Sequence, residues 1–188
     1  MRRALLLVCL TLGAAAATSS RMSDSSRTSP HSSFSAVATL GQVRPTLDLL
    51  VTVRLLAGLL ERGKLVHGAE ARAELQGALA GLPTRPTLGP LAADRTLTRV
   101  RGALTQAQRD TLDAARSDLE RRANLNLSRA RFAVTDGPPN VALLRYGFML
   151  PGGFALARQV AANPELNPFA GEGASAEALE RVLALLGG

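Results

Sequence analysis

Between residues 46 and 62 apolar side chains recur at almost every angle of a helical wheel. Leu47, Leu49, Leu50, Val51, Val53, Leu55, Leu56, Leu59 and Leu60 leave little room for a polar face. A helix apolar nearly all round belongs in the middle of its domain. Asp48 and Arg54 interrupt the run and argue against a membrane span. Gly63 then supplies the residue type that favours a left-handed helix cap.

Three further helices follow from narrower stripes. Over 69–82, Ala71, Leu75, Ala78, Leu79 and Leu82 fall at i, i+4, i+7, i+8 and i+11, the spacing of one buried face. Pro83, Pro86 and Pro90 make a stiff connector. Over 91–103, Ala93, Leu97 and Val100, with Leu104 just beyond, mark an inner face. The stretch Leu104-Thr105-Gln106-Ala107-Gln108 opens the next helix. Thr105 is placed as N-cap and Gln108 as N3, so each side chain can take up the other's backbone amide in a capping box. Leu112, Ala115, Leu119 and Ala123 continue as a buried stripe. Arg109 with Asp113, and Asp118 with Arg122, are spaced for i,i+4 pairs on the outer face. The helix runs on toward Arg131, with Asn124 and Asn126 blurring its end.

The run TDGPPN at 135–140 is a hard stop. The apolar segment 141–153, holding Tyr146, Phe148 and Met149, reads as a short helix or a packed loop that closes the core. After a turn-rich stretch, a last helix starts near Ser175, with Glu177 in its first turn and Leu179, Val182, Leu183 and Leu186 as its stripe. The expected fold is all-α, an antiparallel bundle of four to five helices. Aromatic residues make up only 3% of the chain against 46% hydrophobic residues, so Leu, Ala and Val must fill the core, as packed helices allow. Residues 59–79 and 82–104 each run from Leu through a turn into an Ala-containing amphipathic helix, a faint internal echo of one hairpin plan.

The first residues follow another logic. Arg2 and Arg3, an apolar run over 4–14, and Ala15-Ala16-Ala17 match the three regions of a secretory signal peptide. The apolar run falls short of the roughly 20 residues a spanning helix needs. Residues 18–43 are Ser-rich and poor in large apolar side chains, which predicts a disordered tether. The expected organisation is therefore signal 1–17, tether 18–43 and helical domain 44–188. Cleavage would remove the single cysteine, Cys9, and lower the formal net charge from +7 to +5. Val8 before Cys9 is poorly suited to a lipoprotein signal. An exported domain without disulfides must be held by its core, and its location is the periplasm or outside the cell.

Catalytic chemistry has few candidates. His31 falls in the tether, and His67 beside Gly68 reads as a capping or surface residue. GEGASAE at 171–177 resembles a nucleophile elbow but lacks its second glycine. The carboxylates alternate with arginines, which fits surface pairing better than acid–base work. No enzyme activity, cofactor or metal is expected. Arg95, Arg99, Arg101, Arg121 and Arg122 are the candidate contacts for an anionic partner. Alternating acids and the scarcity of aromatic side chains for base stacking argue against nucleic acid.

The export signal, the cysteine-free mature chain, the Arg-rich helices and the opening Leu104-Thr105-x-x-Gln108 together resemble the LTxxQ-type envelope proteins, the Spy/CpxP-like group. The similarity covers about residues 47–123 and extends to exported helical proteins of GC-rich bacteria. It implies a periplasmic helical protein, often a dimeric cradle, that shields unfolding clients or senses envelope stress. Leu104, Thr105 and Gln108 would be its structural motif. Two features depart from the group: the expected first motif reads Leu65-Val66-His67-Gly68-Ala69, and residues 140–188 are additional. The resulting expectation is a non-enzymatic envelope protein that binds unfolded or envelope proteins, a stress-linked chaperone or adaptor. The alternative is a basic structural module on an anionic envelope polymer or membrane surface.

Overall fold

The computed structural model describes residues 32–65, 68–130 and 140–187. Among them the chain is all-α, with helices α1 (Ser32–Glu61), α2 (Ala69–Leu79), α3 (Pro90–Gly102), α4 (Gln106–Arg129), α5 (Val141–Met149), α6 (Gly153–Ala162) and α7 (Ala174–Gly187). The expected signal, the tether as far as residue 31, both histidines and most of the 135–140 stop lie outside the described residues.

Helix α1 is the axis of the domain. It packs against α3, α4, α5, α6 and α7, while α2 bridges α3 and α7 on the outside. The apolar circumference explains this position. Val43, Leu47, Leu49, Leu50, Val51, Val53, Leu56 and Leu59 are each at most 3% exposed, and such a helix is stable only when neighbours cover it on all sides. At its C-terminus Gly63 takes φ +63°. The Lys64 amide donates to Leu59 O and the Gly63 amide to Leu60 O, both at 2.9 Å, the bonding of a Schellman cap.

The start of α1 corrects the sequence reading. The helix begins at Ser32 and runs through Pro45, whereas the tether was expected to continue to residue 43. Val43 is fully buried and Leu40 packs against the core, so the helix enters the core before residue 44. Proline removes the amide that would bond the carbonyl four residues back. That carbonyl belongs to Gly41, which is exposed, so water can satisfy it.

The helix count also exceeds the expected four to five, because the C-terminal third forms three helices. Residues 141–149 are helical, and α6 follows at once through Gly153 at φ +62°. Gly147 on α5 faces the ring of Phe154 so closely that a Cβ there would collide with it. Phe148 and Phe154 meet edge to face with centroids 4.8 Å apart. Helix α6 is short, and Ala157 and Val160 are the residues it buries, too little periodic signal to mark it in advance.

The predicted stripes of α2, α3, α4 and α7 are inside except for Ala71, which is only half-buried. Leu75, Ala78, Leu79, Leu82, Ala93, Val100, Leu104, Leu112, Leu119, Ala123, Leu179, Val182 and Leu186 are buried, with Leu97, Ala115 and Leu183 packed against them. Replacing Leu50, which is fully buried at the centre of α1, with alanine should cost about 2–5 kcal/mol. Urea unfolding should show this as a lowered midpoint at unchanged slope.

Candidate functional site

The corner between α3 and α4 contains the sequence motif. Thr105 is the N-cap of α4 with extended backbone, and its hydroxyl accepts from the Gln108 amide at 3.4 Å. The Thr105 amide donates to Gln108 Oε1 at 2.8 Å. The capping box read from the sequence is therefore formed. Leu104 is 2% exposed and anchors the corner in the core. Arg109 closes it by donating to Leu104 O at 2.6 Å and to Arg101 O at 3.1 Å. With the corner fixed this way, α3 goes to α1 and α2 while α4 goes to α1 and α5.

The outer-face pairs differ from those expected from i,i+4 spacing. Asp113 receives both guanidinium arms of Arg101, at 2.9 and 3.1 Å, across the corner. Asp118 pairs with Arg121 at 2.6 Å, and Arg122 donates to the Asp118 carbonyl at 3.4 Å. Arg99 reaches Gly77 O on α2 at 3.3 Å. Of the five candidate anion contacts, Arg99, Arg101, Arg121 and Arg122 thus have partners within the domain, and Arg95 lies exposed on α3. These contacts are solvent-exposed, so each contributes little to stability. Their effect is to pattern the α3–α4 surface in both signs.

A second cluster, not anticipated from the sequence, joins α1, α4 and α5. Asp48 Oδ1 accepts from Arg116 and from the hydroxyl of Tyr146, each at 2.6 Å. Arg116 also donates from Nε to Glu120 at 2.9 Å, and Arg44 lies 3.6 Å from Asp48 Oδ2. Thr52 returns its hydroxyl to the Asp48 carbonyl at 2.8 Å. Burial would lower the Arg116 pKa, but the hydrogen bond and charge of Asp48 and the hydrogen bond to Glu120 outweigh it and raise it. Burial first, then the bond to Asp48, pushes the Tyr146 phenol well above its usual range. A phenol held in its neutral form is a poor base or nucleophile near neutral pH. The arrangement acts as a three-helix brace. Nearby, Arg54 donates to Met149 O at the end of α5, where a cation suits the helix dipole. Burial and the charge of Arg122 lower its pKa.

Signals for the brace were present. Asp48 is an acid on an otherwise apolar helix, and Arg116 occupies the i+4 position of the α4 stripe that begins at Leu112. Their pairing spans 68 residues and that of Asp48 with Tyr146 spans 98, so only the fold brings them together.

Among the described residues no group of three or more His, Cys, Asp or Glu is arranged to hold a metal ion, and no helix is long and apolar enough to cross a membrane. No protein-family model, curated protein or solved structure gives a significant match to this chain.

Tyr146 is the only tyrosine, so tyrosinate absorbance reports it alone; its midpoint should lie above the ordinary value of about 10. Because the folded pKa is raised, the associated stability is complete below the unfolded value and is lost as pH climbs toward the folded one. Tyr146→Phe should remove that alkaline loss and cost about 1–2 kcal/mol at neutral pH. Separately, Thr105→Ala should cost about 1 kcal/mol in denaturant unfolding.

Proposed function

We propose that this chain is an exported, non-enzymatic helical envelope protein that works by binding other proteins, as an adaptor or a stress-linked chaperone. The proposal keeps residues 1–17 as a cleaved signal and the helices as a bundle around α1. The observation that carries it is the pairing on the α3–α4 surface. Arg101 and Arg121 are held by Asp113 and Asp118, and Arg99 and Arg122 by backbone carbonyls. A polyanion favours a field of one sign, whereas a surface of mixed sign favours protein recognition through charge complementarity. That weighs against the basic structural module.

Within the protein-binding reading, the adaptor form has the stronger support. Helices α5, α6 and α7 come from the segment additional to the Spy/CpxP-like pattern, and all three pack on α1, the helix whose apolar surface a cradle would otherwise use. The large apolar side chains exposed among the described residues are Leu91, Leu125, Val141 and Leu185, on α3, α4, α5 and α7. This is a dispersed set rather than the contiguous patch that marks a client groove. The LTxxQ resemblance agrees with an envelope protein but contributes through a structural corner.

The test uses the purified chain from residue 18 onward in two assays: protection of an aggregation-prone client, and capture of partners from an envelope extract. Each is run at low and high salt, with heparin-coated beads as a polyanion probe. Selective capture of envelope proteins, with weak retention on heparin, is expected. Retention on heparin that salt abolishes, without protein capture or client protection, would replace this reading with the polymer-binding one.

A further inference from the structure

Among the described residues, no other helix covers the outward side of α4. Asp110, Ala114, Ser117, Arg121, Leu125 and Ser128 are all exposed there. They fall at i, i+4, i+7, i+11, i+15 and i+18, so they form one stripe about 27 Å long. Charge along the stripe is ordered, with Asp110 near the N-terminal end and Arg121 three turns further on. Asp110 accepts from the Gln106 side-chain amide at 2.8 Å, and no Arg or Lys of the described residues pairs with it. Arg121 holds Asp118 through one arm, and both side chains are largely exposed, at 72% and 60%. A guanidinium has five donors, so Arg121 can take a second carboxylate.

This order is complementary to itself. A two-fold axis midway between Ala114 and Ser117 lays a second α4 antiparallel to the first. Asp110 then meets the partner's Arg121, and Arg121 meets the partner's Asp110, so one ion pair is made twice. Ala114 and Ser117 stand at the crossing, where side chains that small let helix axes approach to about 8 Å. On one flank Leu125, a large apolar side chain that is 51% exposed, comes beside the partner's Ala107. On the other flank Asn124 comes beside the partner's Gln106, amide to amide. Arg121, Asn124 and Leu125 help to line a hollow of about 420 Å³ on this face, and the partner's first turns of α4 fill it. A parallel arrangement would instead set Asp110 on Asp110 and Arg121 on Arg121, and like charges in contact are costly.

We propose that the outward face of α4 is the contact surface of a homodimer, in which two copies of this chain pair antiparallel about a two-fold axis through reciprocal Asp110–Arg121 bridges. The inference deepens the protein-binding reading by naming the occupant of this face, and it rests on that reading in taking the two-signed surface as one that meets protein. A contact one helix wide belongs to the small interfaces, below about 1,200 Å². The dimer is therefore weak, and exposed ion pairs make it salt-sensitive.

The test is sedimentation equilibrium of the chain expressed in full, carrying Cys9→Ser so that no native thiol is present, at protein concentrations up to about 1 mM. A dimer should form, and raising salt from about 50 mM to about 500 mM should weaken it. Asp110→Arg and Arg121→Asp should each weaken association by about tenfold or more, because each sets like charges opposite one another twice. The chain carrying both changes should recover association. Ala114→Tyr, at the crossing, should weaken the dimer without altering any charge. All three positions are exposed, so circular dichroism should show the helices intact. Mild oxidation reads the arrangement. Two copies with Ser117→Cys lie about 4–5 Å apart along the helix axis and should join, whereas two copies with Leu125→Cys lie about 28 Å apart, beyond the reach of a disulfide. A chain that stays monomeric throughout would overturn the proposal and leave the protein-binding reading to its capture assay. So would a dimer that both single charge reversals leave unchanged, a double reversal that fails to recover association, or efficient linking through Leu125→Cys, which would mean another interface.

Discussion

Helix α1 cannot be left uncovered, and the rest of the architecture answers that constraint. A helix with a single apolar stripe can lie on a surface, but one apolar nearly all round must be enclosed. The chain has almost no aromatic bulk with which to enclose it, since aromatic residues are 3% of the sequence. Small and branched aliphatic side chains from many elements do so instead, and α3, α4, α5, α6 and α7 all reach α1. The C-terminal segment is therefore integral to the domain. Without α7, which contributes Leu179, Val182 and Leu186 to the core, one side of α1 would face water.

Aliphatic packing of this kind tolerates sliding, because Leu and Ala surfaces offer few unique fits. The Asp48 brace supplies the missing specificity. A carboxylate on a buried helix must be satisfied, and its two short bonds, from Arg116 on α4 and Tyr146 on α5, can be made together only in one rotation and register of those helices. A network of this type contributes to uniqueness more than to net stability. The raised Tyr146 pKa expresses the same fact in titration terms, since burial and then the bond to Asp48 hold the phenol as a neutral donor.

The parts of this arrangement legible in sequence are those governed by local periodicity and capping. The stripes of α2, α3, α4 and α7, the Gly63 cap and the Thr105–Gln108 box each depend on residues within about three turns of one another. The start of α1 was missed because composition over 18–43 averages a Ser-rich stretch together with Val43, which is fully buried. The surface pairs were misassigned because i,i+4 spacing permits a contact without choosing it. Asp113 is four residues from Arg109, yet Arg109 is drawn to the carbonyls of the α3–α4 corner, and Asp113 takes Arg101 instead. Helix α6 is too short to show a periodicity, and the brace depends on neighbours far away in the chain, so no local window contains it.

The corner also decides how much functional weight the LTxxQ motif can carry. Leu104 is buried, the Thr105 hydroxyl and amide are engaged with Gln108, and the Gln108 amide and Oε1 complete the box. All three motif residues are thus accounted for by redirecting the chain from α3 into α4. A motif with one buried anchor, Leu104, and two exposed or half-buried side chains that bond at each other's backbone reports the geometry of a turn, and any protein that needs that turn can converge on it. What the turn leaves outside is the two-signed face formed by Arg101, Asp113, Asp118 and Arg121, and under the protein-binding proposal that face is what a partner would read. On that proposal, specificity would lie in the order of charges across the α3–α4 corner, where Arg101 of α3 meets Asp113 of α4, rather than in the motif that sets the turn.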